Sequence, residues 1–442
     1  MSNITIDFAK NMGPVKPFNC VNNGPVSVRS AMSNYDSWKD LEIPYARLHD
    51  ASFCSHYGGE WTVDVHRIFR DFDADENDPA NYIFAPTDRY LQSIESVGTK
   101  VYYRLGASIE HQYQYGTRPP KDFEKWARIC EHIIRHYTEG WADGFFMDIE
   151  YWEIWNEPEN INAGKNPCWQ GTQEEFGEFF SVVYKYLKSV FPNLKIGGPA
   201  IATVRHKEQL SLFLSILNKN GVRPDFFSYH RYTPNMEDFV QYVREANDFL
   251  ERYGLGDVET HINEWNYIRG WSGDEFIHSV KSSKGIKGAA FLAASMCVLH
   301  PEKLDMLMYY DARPDIWCGL WDTDYLTNLK GYYSFLAFSA LRKLGTAVYS
   351  ECDDYVYSLG AIGDDGAAVL FSHFEEPDGA QERHLTLSLE NLPEGCSNLE
   401  YYILDEDHDL ELVRSEQISG GRKTVELDLP PYTCYLLKIK KA

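Results

Sequence analysis

The chain has 442 residues and carries 42 basic against 66 acidic side chains, a formal net charge of −24. Hydrophobic residues make up 44% of the chain, which suffices for a sizeable core and excludes global disorder. The acidic balance argues against nucleic acid and anionic membrane as partners, because both attract clustered lysine and arginine.

The amino-terminal segment and the cysteines predict a cytoplasmic protein. The chain opens MSNITIDFAK, without the basic start, apolar run or cleavage site of a signal peptide. No apolar run approaches the ~20 residues that a membrane span needs. Nine cysteines, spread from Cys20 to Cys434 without a CxxC pair, favour reduced thiols over disulfides. The sequence leaves the oligomeric state open, a homo-oligomer included.

From about residue 40 to 340, short apolar runs alternate with helical patterns, which predicts a parallel sheet. Eight such strands are what a (β/α)8 barrel requires. A capping box at Thr172–Glu175 begins a helix after strand four, a second helix covers Met236–Tyr253 and stops at Gly254, and the last spans Tyr332–Leu344. The predicted strands are Pro44–His49, Thr62–Phe69, Lys100–Gly106, Tyr151–Asn156, Leu194–Pro199, Asp225–His230, Val258–Glu264 and Asp305–Tyr310.

Beyond Gly345 the apolar period changes to two, as in Leu385 to Leu389, and Gly363-Asp-Asp-Gly366 predicts a hairpin turn. The amino-terminal segment Ile4 to Phe8 alternates in the same way, and we expect it to join this sheet. The predicted fold class is α/β: a TIM barrel with a C-terminal antiparallel β-sandwich domain that also takes the N-terminal strand. The predicted domains are residues 1–16 for that strand, 17–344 for the barrel and 345–442 for the β domain.

Two glutamates come at the ends of predicted strands. Trp152-Glu-Ile-Trp-Asn-Glu-Pro158 places Glu157 at the end of strand four, and His261-Ile-Asn-Glu-Trp-Asn-Tyr267 places Glu264 at the end of strand seven. In such barrels the chemistry lies at the carboxyl ends of the strands. Because strand side chains alternate, we expect Glu157 to share the inward face with Trp155. Two carboxylates that face each other across an aromatic cleft suit glycosidic hydrolysis.

These motifs resemble those of the retaining (β/α)8 glycosidases, and Glu153-Ile-Trp-Asn-Glu-Pro158 resembles glycoside hydrolase family 39, which holds β-xylosidases and α-L-iduronidases. Arg47-Leu-His49 on strand one and Ser228-Tyr-His-Arg-Tyr232 on strand six fit the same family. The resemblance implies double displacement, with Glu264 as nucleophile and Glu157 first as acid and then as base. It also implies that Asn156 binds the sugar 2-hydroxyl.

The other site residues are expected at the barrel mouth, with Glu153 one layer deeper in a hydrogen-bond network. At least one tryptophan of the rim segments should form a sugar platform, from Trp169, Trp265, Trp271, Trp317 and Trp321. No metal or other cofactor is predicted, since no HxH ends strand one and the acidic run Asp71–Asp78 lacks the glycine and glutamate of an EF-hand. The predicted substrate-binding residues are Asn156, Arg47, His49, His230, Tyr232, Trp265, Tyr310 and Trp321.

The leading prediction is a retaining exo-glycosidase that acts on short oligosaccharides or other glycosides, most similar to a β-D-xylosidase. An arabinosidase or another exo-glycosidase of the same clan is the nearest alternative, whereas the net negative charge disfavours an iduronidase. A non-catalytic carbohydrate-binding protein and a metal-dependent barrel hydrolase are the alternatives of other classes.

Overall fold

A computed structural model of the chain describes residues 2–28, 32–50, 62–110, 115–161 and 165–441. Within these ranges, eight parallel strands close into a barrel. The barrel strands are β2 (Cys20–Asn22), β5 (Tyr45–Arg47), β6 (Lys100–Leu105), β7 (Tyr151–Ile154), β8 (Lys195–Ile201), β9 (Phe226–Tyr232), β10 (Glu259–Asn266) and β11 (Met306–Tyr309). Pairing of β11 with β2 closes the ring.

Helices surround the barrel, and a two-stranded hairpin of β3 (Ser27–Val28) and β4 (Met32–Ser33) follows β2. The predicted capping box is present, since the Thr172 hydroxyl accepts from the Glu175 amide at 3.1 Å and the Glu175 carboxylate accepts from the Thr172 amide at 2.8 Å. The helices are α1 (Tyr35–Asp40), α2 (Val65–Ile68), α3 (Ala85–Glu95), α4 (Phe123–Thr138), α5 (Gln173–Val190), α6 (Lys207–Lys219), α7 (Met236–Arg252), α8 (Gly273–Lys284), α9 (Ile286–Val298) and α10 (Lys330–Leu344).

The first two barrel strands differ from the prediction. Thr62–Phe69 is not a strand, because its centre forms the short helix α2. The first strand is instead β2, three residues long and too short to give a periodic signal. Arg47 therefore ends the second barrel strand rather than the first, and His49 lies just beyond that strand.

The β domain contains the amino-terminal strand, as predicted. Strand β1 (Ser2–Pro14) pairs in parallel with β15 (Arg383–Glu390) and antiparallel with β12 (Thr346–Ser350), in a nine-stranded sheet of the described residues. The sheet curls around its own apolar core, which contains Ile4, Leu387 and Leu437. Its other strands are β12 (Thr346–Ser350), β13 (Val356–Gly363), β14 (Gly366–His373), β15 (Arg383–Glu390), β16 (Cys396–Leu404), β17 (Asp409–Gln417), β18 (Arg422–Leu429) and β19 (Cys434–Lys441).

The two parts of the molecule share a core, because β13 and β14 pack against α9 and α10. At the amino-terminal end of the strands, the barrel interior is closed by an apolar and aromatic cluster that includes Tyr102, Tyr151 and Phe226. The opposite end of the barrel is lined by polar and charged side chains. Among the described residues, no helix combines the length and apolarity needed to cross a bilayer.

Candidate active site

The structure brings the two predicted glutamates together at the carboxyl end of the barrel. One carboxylate oxygen of Glu157, one of Glu264 and one ring nitrogen of His230 all lie within 4.8 Å of one another. All three side chains are largely buried, with Glu157 8% and Glu264 5% exposed. The site is therefore a compact, partly desolvated pair of acids bridged by an imidazole.

Strand β9 contributes three successive inward-facing side chains to this site. Ser228 Oγ donates to Glu153 Oε1 at 2.6 Å, His230 Nδ1 lies 2.8 Å from Glu157 Oε1, and Tyr232 Oη donates to Glu264 Oε2 at 2.8 Å. The strand period of two explains this arrangement, because every second side chain faces the barrel interior. One strand thus contacts each of the three glutamates.

A register shift in β10 aims Glu264 at the site. Ile262 pairs with Tyr229, but Glu264 pairs with His230, so Asn263 is an additional residue in β10. Asn263 Nδ2 donates to Glu153 Oε1 at 2.5 Å and therefore also faces inward. A bulge of this kind lets two consecutive side chains enter the barrel interior, which strict alternation would forbid.

The backbone after β7 also departs from strand geometry, which corrects the predicted face of Trp155. Trp155 and Glu157 have positive φ values of 76° and 46°, and β7 ends at Ile154. The Trp155 ring is buried against Trp169 in the helix layer rather than in the cleft. The left-handed residues reverse the chain so that Glu157 faces the site while Trp155 does not.

Arg47 holds the floor of the site together. This fully buried guanidinium donates through Nε to Glu153 at 2.6 Å, through Nη1 to Glu264 at 2.8 Å and to Asn22 at 3.0 Å, and through Nη2 to Asn156 at 2.7 Å. Glu153 lies deeper in the barrel than Glu157 and Glu264, and it accepts hydrogen bonds from Arg47, Ser228 and Asn263. The carboxamide Nδ2 of Asn156 has no hydrogen-bond partner among the described residues. It is therefore a buried donor next to Arg47.

Burial and neighbouring charges set the protonation of the site. Burial lowers the pKa of His230 to about 4, so that its ring is neutral near pH 7. Burial raises the pKa of Glu264 above its ordinary value, against the opposing effects of His230 and Arg47. The pKa of His49 lies well below its ordinary value because the ring is buried, with the charge of Arg47 as the next cause.

The structure places His49 beside Glu264 and Asp50, and Tyr310 beside Asp50. His49 Nε2 is 3.8 Å from Glu264 Oε1 and 3.5 Å from Asp50 Oδ2. Tyr310 Oη donates to Asp50 Oδ2 at 3.3 Å, and Arg313 Nη1 donates to the Asp50 carbonyl at 3.0 Å. Asp50 is a pocket carboxylate that the sequence analysis did not select, although it directly follows the Arg47-Leu-His49 motif.

Two predicted substrate-binding tryptophans are placed wrongly by the sequence analysis. Trp265 is fully buried and packs against Phe291 and Tyr309, because the bulge that turns Glu264 inward turns its neighbour outward. Trp321 is fully buried and stacks on Trp38 with ring centroids 5.3 Å apart. Neither ring has a face available to a sugar.

Trp271 and Trp317 are the rim tryptophans that the structure places near Glu264, through their contacts with Tyr232. Both rings contact Tyr232, at centroid distances of 5.0 and 5.8 Å, and Trp317 also lies 5.7 Å from Tyr310. Trp271 is 60% exposed. Trp271 thus presents an exposed indole one ring away from the tyrosine that donates to Glu264.

Asn22, Ser228 and Asn263 are the site-floor residues that the sequence analysis missed as individual positions. Asn22 comes from the unpredicted strand β2, and Asn263 is the bulge residue. Only Ser228 had a signal in the sequence, since it lies two residues before His230 in a predicted strand and so shares its face.

Within the described residues, the cluster of histidine and carboxylate ligand atoms close enough for a metal ion is Glu157, His230 and Glu264. The Arg47 guanidinium lies 2.8 Å from Glu264, and a fixed positive charge there opposes a bound cation. The donor set suits an acid–base pair better than it suits a metal centre.

A (β/α)8 barrel with two close carboxylates at the carboxyl ends of its fourth and seventh strands belongs to the class of barrel glycosidases. The model of the glycosyl hydrolases family 39 matches residues 2–249, more than half of the chain. The chain therefore belongs to glycosyl hydrolases family 39.

Two curated relatives are similar to this chain in sequence. The chain is 26% identical over 297 residues to a β-xylosidase of Caldicellulosiruptor saccharolyticus, covering 60% of this chain and 55% of that one. It is 28% identical over 228 residues to a β-xylosidase of Geobacillus stearothermophilus, covering 45% and 44%. The chain thus spans about half the length of these curated relatives.

The same fold occurs in a solved glucosidase of Croceicoccus marinus, with a TM-score of 0.82 at 21% identity over 100% of this chain and 99% of that one. A monomeric β-xylosidase of Caulobacter crescentus matches with a TM-score of 0.74 at 16% identity, covering 100% of both chains. At these identities the likeness concerns the fold alone.

Proposed function

We propose that this protein is a retaining exo-glycosidase that releases a single sugar from short oligosaccharides or other glycosides, with a β-D-xyloside as the first candidate substrate. The observation that carries the proposal is the separation of the two acids. Retaining enzymes hold their carboxyl groups about 5–5.5 Å apart, whereas inverting enzymes leave about 6.5–9.5 Å for a water. One oxygen of Glu157 and one of Glu264 lie within 4.8 Å of each other, and both carboxylates contact the same His230 nitrogen at 2.8 and 3.4 Å, which supports the first class.

In the first half of the reaction, Glu264 attacks the anomeric carbon. The bond from that carbon to the glycosidic oxygen breaks, and Glu157 gives its proton to the departing oxygen. Arg47 Nη1 and Tyr232 Oη both donate to the Glu264 carboxylate, at 2.8 Å each, so the nucleophile is fixed in position by two hydrogen bonds. The product is a covalent glycosyl-enzyme and a free alcohol.

In the second half, water takes the place of the leaving group. Glu157, now ionised, removes a proton from the water while the water oxygen bonds to the anomeric carbon. The bond between the anomeric carbon and Glu264 breaks in the same step. His230, 2.8 Å from Glu157, stays neutral because burial holds its pKa near 4, and so does not take the proton from the acid. The buried amide of Asn156 is a free donor for a sugar hydroxyl.

The substrate proposal rests on the relatives. Both curated relatives are named β-xylosidases, while one solved neighbour is named a glucosidase and another an arabinofuranosidase. A xyloside is therefore tested first, with an arabinoside and a glucoside as the alternatives within the same mechanism.

A panel of aryl glycosides that differ in sugar and anomer tests the proposal. We expect turnover of one sugar series, with a product of retained configuration measured by NMR at early time points. The Glu264→Ala variant should lose several orders of magnitude in kcat, and azide should partly restore activity with a product of inverted configuration. Binding of sugars without turnover of any glycoside would instead favour a non-catalytic carbohydrate-binding protein.

A further inference from the structure

The acid Glu157 begins a tight turn that also carries a partner for its own carboxylate. The Asn160 amide nitrogen donates to the Glu157 carbonyl at 3.1 Å, which closes the turn. The Asn160 side chain then donates through Nδ2 to Glu157 Oε2 at 2.6 Å. The two carboxylate oxygens thus have different partners, because Oε1 faces His230 Nδ1 at 2.8 Å.

Contacts with strand β8, with the loop after it and with helix α5 hold this turn in place. The Glu157 amide donates to the carbonyl of Ala200 at 2.9 Å, and the Thr203 amide donates to Glu159 Oε1 at 3.1 Å. On the other side, Gln173 Nε2 donates to the Pro158 carbonyl at 2.8 Å. Since the backbone cannot shift easily, the Asn160 amide stays within reach of Oε2.

We propose that Asn160 is the positioning residue of the acid/base, and that it directs the catalytic proton to Oε1, the oxygen on the His230 side. This inference rests on the proposed function and extends it to a residue outside the Trp-Asn-Glu-Pro motif. The carbonyl oxygen of a neutral carboxylic acid is its better acceptor, so the Asn160 amide donor at 2.6 Å favours Oε2 as the carbonyl oxygen and places the proton on Oε1. In this arrangement the neutral His230 carries its own proton on Nε2, and its Nδ1 accepts from Oε1. After the acid has donated, the same N–H stabilises the carboxylate that must serve as base.

Other groups near Glu157 act on its charge as well. Glu264 opposes a second negative charge, whereas burial raises the pKa of Glu159 to about 8 and keeps that group largely neutral near pH 7. The neutral His230 contacts Oε1, and the Cys168 thiol lies 4.0 Å from Oε2. None of these four donates to Oε2 at the length of the Asn160 bond. Removal of Asn160 should therefore raise the pKa of Glu157, because the ionised form loses a hydrogen-bond donor at 2.6 Å.

The experiment compares Asn160→Ala with wild type on two leaving groups. For a glycoside with a poor leaving group, kcat/KM should fall about ten- to one-hundred-fold, as expected for loss of a hydrogen bond to a charged group. The alkaline limb of its pH profile should move to higher pH. A dinitrophenyl glycoside, which needs little protonation, should keep kcat/KM within about threefold of wild type.

Gln173→Ala is the matched control, since it removes one side-chain hydrogen bond to the same turn without touching the carboxylate. We expect this variant to leave the alkaline limb in place. Equal losses on both leaving groups, or an alkaline limb that does not move in Asn160→Ala, would overturn the proposal and leave Asn160 a structural residue.

An infrared titration of Glu157 distinguishes a failure of this inference from a failure of the proposed function. Infrared difference spectra against Glu157→Gln report the carboxyl titration of Glu157 whether or not the protein turns over a substrate. A higher midpoint in Asn160→Ala supports the role of Asn160 even if the aryl glycosides fail, and an unchanged midpoint contradicts it even if they are hydrolysed.

Discussion

Substitution of Arg47 by Met tests the physical basis of the site floor. The Arg47 guanidinium and the Glu153 carboxylate are both completely buried and lie 2.6 Å apart. Loss of the arginine leaves Glu153 as a buried charge without its counter-ion, although Ser228 and Asn263 still donate to it. Breaking a buried pair in this way costs about 3–5 kcal/mol. We expect Arg47→Met to lower the free energy of unfolding by that amount.

A double-mutant cycle assigns the effect to the pair. Glu153→Gln removes the charge but keeps an amide that can bond to Ser228 and Asn263. The double variant Arg47→Met/Glu153→Gln should therefore lose about 1–3 kcal/mol less than the sum of the two single variants. Urea titrations of the four proteins, followed by fluorescence, measure each free energy of unfolding.

An exposed ion pair of the same barrel provides the control. Lys100 and Asp148 form a salt bridge with side chains 46% and 79% exposed, and its removal in Lys100→Met should change stability by no more than about 1 kcal/mol. Additive losses in the Arg47 cycle, or an Arg47→Met protein as stable as Lys100→Met, would refute the reasoning. All variants of Arg47 should also lose activity, because Glu264 and Asn156 lose the donor that orients them.

The remaining predictions concern the reaction, its pH dependence and the rim. In Glu157→Ala, kcat/KM should fall far more for alkyl than for dinitrophenyl glycosides; equal loss on both would contradict its role as acid. Because burial raises the pKa of Glu264, kcat/KM should decline as the pH falls through a value above that of an ordinary glutamate, in a pH titration of activity. Prolonged treatment with a chelator should leave kcat unchanged. Trp271→Ala should raise KM about tenfold with little change in stability, whereas Trp321→Ala should destabilise the fold by about 3–5 kcal/mol in urea titrations.

The sequence predicted the helices and strands whose apolar pattern extends over many residues. Strand β10 and helix α7 combine an apolar pattern with a clear boundary, and each lies close to its expected range. The alternation of Ile4 to Phe8 similarly placed β1 in the β domain. Strand β2 was missed because three residues carry no periodicity, and Thr62–Phe69 was assigned as a strand because its apolar residues fit a short helix as well as a strand.

The site was predictable as far as the two glutamates, since they end strands in the motifs that resemble the family. The directions of their neighbours were not predictable, because they depend on local departures from strand geometry. The bulge at Asn263 brings that side chain inward next to Glu264, and the positive φ of Trp155 turns that ring into the helix layer. No periodicity in a single sequence reports a one-residue shift of register.

The position of β1 also has a consequence for biosynthesis. Its partners β12 and β15 are made only after the whole barrel, since β1 ends at Pro14 and β12 begins at Thr346. During synthesis, β1 has no strand to pair with until more than 300 further residues have been made. The sheet of the β domain therefore reaches its full order only after the barrel sequence has been made, because the early strand β1 lies between the late strands β12 and β15.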